Sequence, residues 1–162
     1  MAKASGAASR GMRGEVTPVQ DAAVAVALGF VVIGALGFLP GITANYDAME
    51  FAGPESEARL LGLFQVSVLH NIVHIGIGVI GAFLSWFLRG AVWFLLVGAL
   101  AYLLLGVYGL VVPGDHPANF VPVNLADDLL HLGLGVLMLV LLATMPRHPT
   151  PHSSGVHLLG PE

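Results

Sequence analysis

The sequence has 162 residues, of which 56% are hydrophobic and only 10% are charged. Soluble domains carry roughly 25% charged residues, so the composition indicates a membrane protein whose immediate partner is the lipid bilayer. The absence of cysteine excludes disulfides and thiolate metal sites, and the net charge of −4, with no basic stripe, excludes a nucleic-acid partner.

Four apolar runs follow one another along the chain, and each provides the ~20 residues that a helix needs to cross a bilayer. Their apolarity is continuous rather than alternating, which favours helices over membrane β-strands. We therefore predict an all-α bundle of four transmembrane helices, spanning about residues 22–40, 62–88, 91–112 and 125–145. This transmembrane domain, residues 21–146, lies between two polar segments, 1–20 and 147–162, that we expect to be flexible tails.

The basic residues predict the orientation of the bundle. With four spans, one side of the membrane receives most of them, namely Lys3, Arg10, Arg13, Arg89 and Arg147. The other side receives Arg59 and most of the acidic residues. By the positive-inside rule, both termini are expected to be cytoplasmic and the protein is expected to lie in the cell membrane.

The second and fourth runs contain related polar segments. Shifting the sequence by 57 positions places "VSVLHNIVHIGIGVI" (66–80) over "VNLADDLLHLGLGVL" (123–137), so that His74 matches His131 and His70 matches Asp127. In the preceding runs, "GALGFLPG" (34–41) resembles "GVYGLVVPG" (106–114). The chain is therefore predicted to be a duplicated helix hairpin, with both copies pointing the same way through the membrane.

Polar residues in these two segments share one helical face. The set comprises Ser67, His70, Asn71 and His74 in the second span, and Asn124, Asp127, Asp128 and His131 in the fourth. Buried polar groups need partners across a helix contact, so we predict a polar seam between spans two and four, with His74 and His131 facing it at similar depth. Asn124 is also a good N-cap residue, and carboxylates in a first helical turn complement the helix dipole.

Three motifs carry a family resemblance: "GLFQVSVLHNIVHIGIG", "VYGLVVPG" and "FVPVNLADDLLHLGLG". They resemble the bacterial membrane-protein family called domain of unknown function 4383, over roughly residues 22–144. The resemblance implies a four-helix membrane protein and brings no activity with it. The chain departs from the family pattern at Ser67 and Asp128, where asparagine is expected.

The first interpretation of the polar residues is hydrogen bonding between helices. It predicts a small membrane protein that is not an enzyme, has no catalytic residue and no cofactor, and acts through packing, a membrane-protein partner or a second copy of itself. Phosphate-binding loops and nucleotide fingerprints are absent from the sequence, in agreement with this expectation.

Metal, haem and ion binding are the alternatives. His70 and His74 stand at i and i+4, as do Asp127 and His131, and three imidazoles with a carboxylate can bind zinc or copper. Haem b could instead be held by His74 and His131 as axial ligands. Ionisable residues within spans are also typical of ion or proton transporters.

Overall fold

The computed structural model describes residues 16–112 and 114–149, and this part of the chain is mostly helical. Its helices are α1 (Pro18–Leu36), α2 (Val68–Leu84), α3 (Leu88–Val111) and α4 (Leu125–Thr144). By length and composition α1, α3 and α4 can each cross a membrane, whereas α2 is apolar but has only 17 residues. Three long apolar helices agree with a membrane protein. Most of the two predicted tails, residues 1–15 and 150–162, lies outside the described residues.

A small sheet precedes α2, so the prediction of a purely helical chain was incomplete. Its antiparallel strands are β1 (Thr43–Ala44), β2 (Arg59–Leu60) and β3 (Phe64–Gln65), in the order β1-β2-β3. In the turn between β2 and β3, Leu61 (φ 53°) and Gly62 (φ 72°) have the left-handed backbone conformation. A right-handed helix cannot include this conformation. The apolar run predicted as a span from residue 62 therefore begins in this turn and continues through β3 before α2 starts.

Helix α2 begins at Val68 because Ser67 caps it. The Ser67 hydroxyl accepts a hydrogen bond from the His70 backbone N–H at 3.1 Å. At 1.5 Å per residue, α2 is about 25 Å long, somewhat less than the ~30 Å of a typical hydrocarbon core. The sheet and the first turns of α2 and α4 lie together, and we call this region the sheet end of the bundle.

The closest helix packing lies within each sequential hairpin: α1 packs against α2, and α3 packs against α4. Glycines allow both contacts. A Cβ added to Gly34 would lie 2.6 Å from the backbone oxygen of Asn71, and one added to Gly106 would lie 2.9 Å from that of Asp128. These two contacts join residues that correspond under the sequence repeat.

A second pair of glycine contacts corresponds in the same way. A Cβ on Gly78 would lie 2.6 Å from the backbone oxygen of Ala27, and one on Gly135 would lie 3.0 Å from that of Ala99. Here the glycines belong to α2 and α4, and the carbonyls to α1 and α3. The two hairpins therefore use the same positions for close helix approach.

An apolar core fills the bundle between the sheet end and the opposite end. Its buried members are Val19, Ala23, Ala27, Phe30, Ala91, Phe94, Leu95, Ala99, Tyr102 and Met138. At the end opposite the sheet, Gln20 Nε2 donates to the backbone oxygen of Ser85 at 3.0 Å and ties α1 to the α2–α3 link. This core supports a polar cluster closer to the sheet end.

Candidate metal centre

Three imidazoles meet inside the bundle, and we call them the histidine cluster: His70 and His74 from α2, and His131 from α4. All three are buried, and one ring nitrogen of each lies within 4.8 Å of the others. The His70 and His74 rings are stacked with centroids 4.6 Å apart, and the His70 and His131 centroids are 6.4 Å apart. The structure thus brings together three of the four predicted metal ligands.

Helix register explains how these side chains converge. The Ser67 cap puts His70 in the first turn of α2, and His74 follows one turn later on the same face. In α4, the cap at Asn124 places His131 in the second turn, at a similar distance from the sheet end. The two capped helix starts therefore place His74 and His131 at one level, with His70 one turn closer to the sheet end.

Hydrogen bonds fix which nitrogens of the α2 histidines are free. His70 Nδ1 lies 3.3 Å from the backbone oxygen of Pro122, and His74 Nδ1 lies 3.1 Å from that of His70. A carbonyl oxygen only accepts, so each Nδ1 carries the hydrogen and each neutral ring keeps a lone pair on Nε2. Metal-binding histidines are oriented in this way, with one nitrogen donating to a carbonyl and the other binding the ion.

His131 differs from the other two because its Nδ1 is buried and has no hydrogen-bond partner among the described residues. Its side chain is only 6% exposed, so this nitrogen is shielded from bulk solvent. An unpaired buried polar atom costs about 1–3 kcal/mol. This arrangement favours a ligand that would engage the ring.

Two aromatic residues complete the surroundings of the cluster, and the sequence analysis did not identify either of them. The Tyr102 hydroxyl on α3 lies 3.4 Å from His74 Nε2, and its ring meets His131 edge-on at 5.2 Å. Phe30 on α1 packs edge-on against His74 at 5.9 Å and stacks on Tyr102 at 5.1 Å. Each stands four residues before a matched glycine, Gly34 or Gly106, so the repeat alignment contained the signal.

Asp127, the fourth predicted ligand, is not part of the group of converging ligand atoms. Its Oδ2 accepts two backbone hydrogen bonds, from Gln65 and from Asn124, both at 2.9 Å. The first ties strand β3 to α4, and the second closes the N-terminal cap of α4. The structure therefore gives this carboxylate a role in joining the sheet to the bundle.

We expect Asp127→Ala to lower the free energy of unfolding by about 2 kcal/mol, since two partly buried N–H groups lose their acceptor. Chemical unfolding in detergent, followed by circular dichroism, measures the loss. Asp21→Ala is the matched control because Asp21 is an exposed first-turn carboxylate of α1. Equal stability of the Asp127→Ala and Asp21→Ala proteins would contradict the structural role.

The other predicted seam residues serve helix starts and hairpin contacts. Ser67 and Asn124 are N-caps, and Asn124 Nδ2 also donates to the backbone oxygen of Leu63 at 2.8 Å. The side chains of Asn71 and Asp128 are buried at matched positions, against Gly37 and Gly109 of their own hairpins. Asp128 Oδ1 has no hydrogen-bond partner within the described part of the chain.

Two cavities flank the histidine cluster and correspond under the repeat. One, of about 270 Å³, lies between α1 and α4, and the other, of about 240 Å³, lies between α2 and α3. Matched wall residues are Phe30 and Tyr102, Ile33 and Leu105, His131 and His74, and Leu134 and Ile77. The cluster therefore lies between two mainly apolar cavities. Their walls use corresponding positions of the repeat, but the residue types at those positions differ.

Comparison with protein families gives one match. The family model described as "Domain of unknown function (DUF4383)" matches residues 20–144, which contain the histidine cluster, the sheet and nearly all of the four helices. No curated protein matches the chain, and no solved structure does.

Proposed function

The chain belongs to the family described as Domain of unknown function (DUF4383), and we propose that it is an integral membrane protein that binds one transition-metal ion. The proposed ligands are His70, His74 and His131. A single observation carries the proposal: three buried imidazoles each place a nitrogen within 4.8 Å of the other two.

The spacing is close to what an ion requires. In a tetrahedral zinc site with Zn–N distances of ~2.05 Å, ligand nitrogens are about 3.3 Å apart. The nitrogen atoms of the cluster are up to 4.8 Å apart, and rotation of the rings would shorten these separations to that value. Three neutral nitrogen donors favour zinc or copper and disfavour calcium and magnesium, which prefer oxygen ligands.

An ion suits this position better than a haem does. Phe30 and Tyr102 stack at 5.1 Å beside the cluster. Their rings occupy the space that a macrocycle between His74 and His131 would require. The stacked pair also packs edge-on against both histidines. Metal binding therefore requires ring rotations, whereas haem binding would require the aromatic core to open.

Elemental analysis after purification in detergent tests the proposal. We expect about one zinc or copper per chain, and zinc at 100 times its Kd should stabilise the metal-free protein by about 2.7 kcal/mol. EDTA should reverse that stabilisation. A metal-free protein whose unfolding is insensitive to zinc and copper would refute the proposal. A Soret band would instead indicate haem, and ion flux in proteoliposomes would indicate transport.

Four membrane spans with cytoplasmic termini form the second part of the proposal. Helix α2 is short, but α1 and α3 pack beside it in a continuous bundle. Trp86 and Trp93 are 73% and 61% exposed on either side of Arg89, as aromatic residues at a membrane interface are. The matched glycine contacts of the two hairpins support an origin by duplication, which requires the same number of spans in each.

Reporter fusions test this topology. Alkaline phosphatase, which is active only outside the cytoplasm, should be active when inserted at Asp47 and inactive at Arg89, because the positive-inside rule places Arg89 in the cytoplasm. A fluorescent protein at the C-terminus, which reports the cytoplasmic side, serves as the complementary control. Phosphatase activity at Arg89 would contradict the proposed topology, because it would place Arg89 outside the cytoplasm.

We also infer that the chain binds rather than catalyses. The polar residues outside the cluster, such as Ser67 and Asn124, are engaged in helix caps. Asn71 and Asp128, the remaining predicted seam residues, each pack against a glycine of their own hairpin, which supports a structural role for them. Association with a membrane-protein partner or with a second copy stays a prediction, which crosslinking in native membranes would test.

A further inference from the structure

We infer that Tyr102 is the fourth metal ligand, bound as a phenolate; this inference rests on the proposed three-histidine site. The Tyr102 hydroxyl lies 3.4 Å from His74 Nε2. Two ligands of one tetrahedral ion at ~2.0–2.1 Å are about 3.3 Å apart, so this pair already has the spacing of neighbouring ligands. The distance between these two atoms therefore already fits a shared coordination shell.

The surroundings of Tyr102 leave its oxygen few other roles. The side chain is 3% exposed, and its hydroxyl has one hydrogen-bond partner among the described residues, His74 Nε2. Because His74 Nδ1 carries the ring hydrogen, Nε2 accepts and the hydroxyl donates. The metal would replace the hydroxyl hydrogen between these two atoms.

Charge favours the same conclusion. Three neutral imidazoles around a divalent ion leave a charge of +2 inside the bundle, and burying an uncompensated charge is costly. Coordination by a phenolate halves that charge. The O–H bond of Tyr102 breaks and its electron pair forms the metal–oxygen bond, while the proton passes to the solvent and its buffer. No redox change occurs, and four protein ligands close the site, as in non-catalytic zinc sites.

The repeat places a phenylalanine, which lacks the hydroxyl, at the position that matches Tyr102. Phe30 occupies the position in α1 that Tyr102 occupies in α3, and the edge-on contacts Phe30–His74 (5.9 Å, 67°) and Tyr102–His131 (5.2 Å, 65°) correspond. Tyr102→Phe is therefore a conservative substitution. Tyr108→Phe is the matched control, because that hydroxyl is also on α3 but donates to the backbone oxygen of Ala118 at 3.0 Å.

Proton release on addition of zinc chloride to the metal-free protein in detergent is the decisive measurement. Neutral imidazoles release no proton, and at pH 6 a zinc-bound water, whose pKa in three-histidine sites is about 7, keeps most of its protons. At that pH we expect about one proton per zinc from the native protein and from Tyr108→Phe, and far less from Tyr102→Phe. Zinc affinity should fall at least about tenfold in Tyr102→Phe only. Equal proton release and affinity in the native and Tyr102→Phe proteins would overturn the inference and leave the three-histidine site standing.

A second measurement needs no variant. Copper(II) bound by a phenolate gives a visible charge-transfer band that imidazole ligands alone do not give. We expect this band in the native protein loaded with copper(II) chloride, and its absence from copper-loaded protein would overturn the inference even if Tyr102→Phe failed to fold. Failure of the native protein to bind either metal would refute the proposed function itself.

Discussion

His74→Leu is expected to weaken zinc binding about 100-fold or more while leaving membrane insertion intact. His74 contributes a lone pair at the centre of the cluster, between the His70 ring and the Tyr102 hydroxyl. Structural zinc sites with four ligands bind with roughly 10–16 kcal/mol, or about 2.5–4 kcal/mol per ligand. Losing one ligand should thus weaken zinc binding about 100-fold or more. Equilibrium dialysis against a zinc chelator of known affinity measures the change.

His116→Leu is the control for that substitution, because His116 is an exposed histidine in the loop before α4. It should bind zinc with the affinity of the native protein. Leucine inserts readily into membranes, so both variants should be recovered from the membrane fraction in similar amounts. If His74→Leu keeps native zinc affinity, the histidine cluster is not the binding site, whatever metal the purified protein contains.

The sequence predicted a polar seam between spans two and four, and the structure brings three members of that set, His70, His74 and His131, together. An i, i+4 pair fixes two side chains on one helical face, and the repeat relates His74 to His131 at one level of the bundle. The i, i+4 spacing and the repeat match do not depend on the conformation of the loops. The three rings converge in the structure for these reasons.

Tyr102 and Asp127 show what the sequence could not supply. Tyr102 lies in a long apolar helix that also contains Tyr108, and only tertiary packing brings the Tyr102 hydroxyl to the cluster, 3.4 Å from His74 Nε2 of α2. Asp127 had the spacing of a ligand, but its Oδ2 accepts from the Gln65 backbone, 62 residues earlier in the chain. That contact depends on the sheet, whose turn at Gly62 was hidden inside an apolar run. Long-range contacts, rather than residue types, decided both roles.

Gly34→Ala and Gly106→Ala should both destabilise the bundle, because each added Cβ would clash with helix backbone at a matched hairpin contact. A Cβ would lie 2.6 Å from the Asn71 oxygen in α2, or 2.9 Å from the Asp128 oxygen in α4. Neither oxygen can rotate away, because both belong to helix backbone, and the helices must separate. Overpacking typically costs about 1–3 kcal/mol.

Gly29→Ala and Gly133→Ala are the matched controls, since an added Cβ at either position meets nothing within 4 Å. Replacing an unencumbered helical glycine with alanine should stabilise the protein by up to about 1 kcal/mol. We therefore expect the contact and control variants to differ by about 1–4 kcal/mol in unfolding by sodium dodecyl sulfate, measured by circular dichroism. Similar losses from Gly34→Ala and Gly106→Ala would support equivalent hairpins, because each substitution would open the same interface in its own copy. If Gly106→Ala left the free energy of unfolding unchanged while Gly34→Ala lowered it, the helix contacts of the two hairpins would not be equivalent, despite their matched sequences.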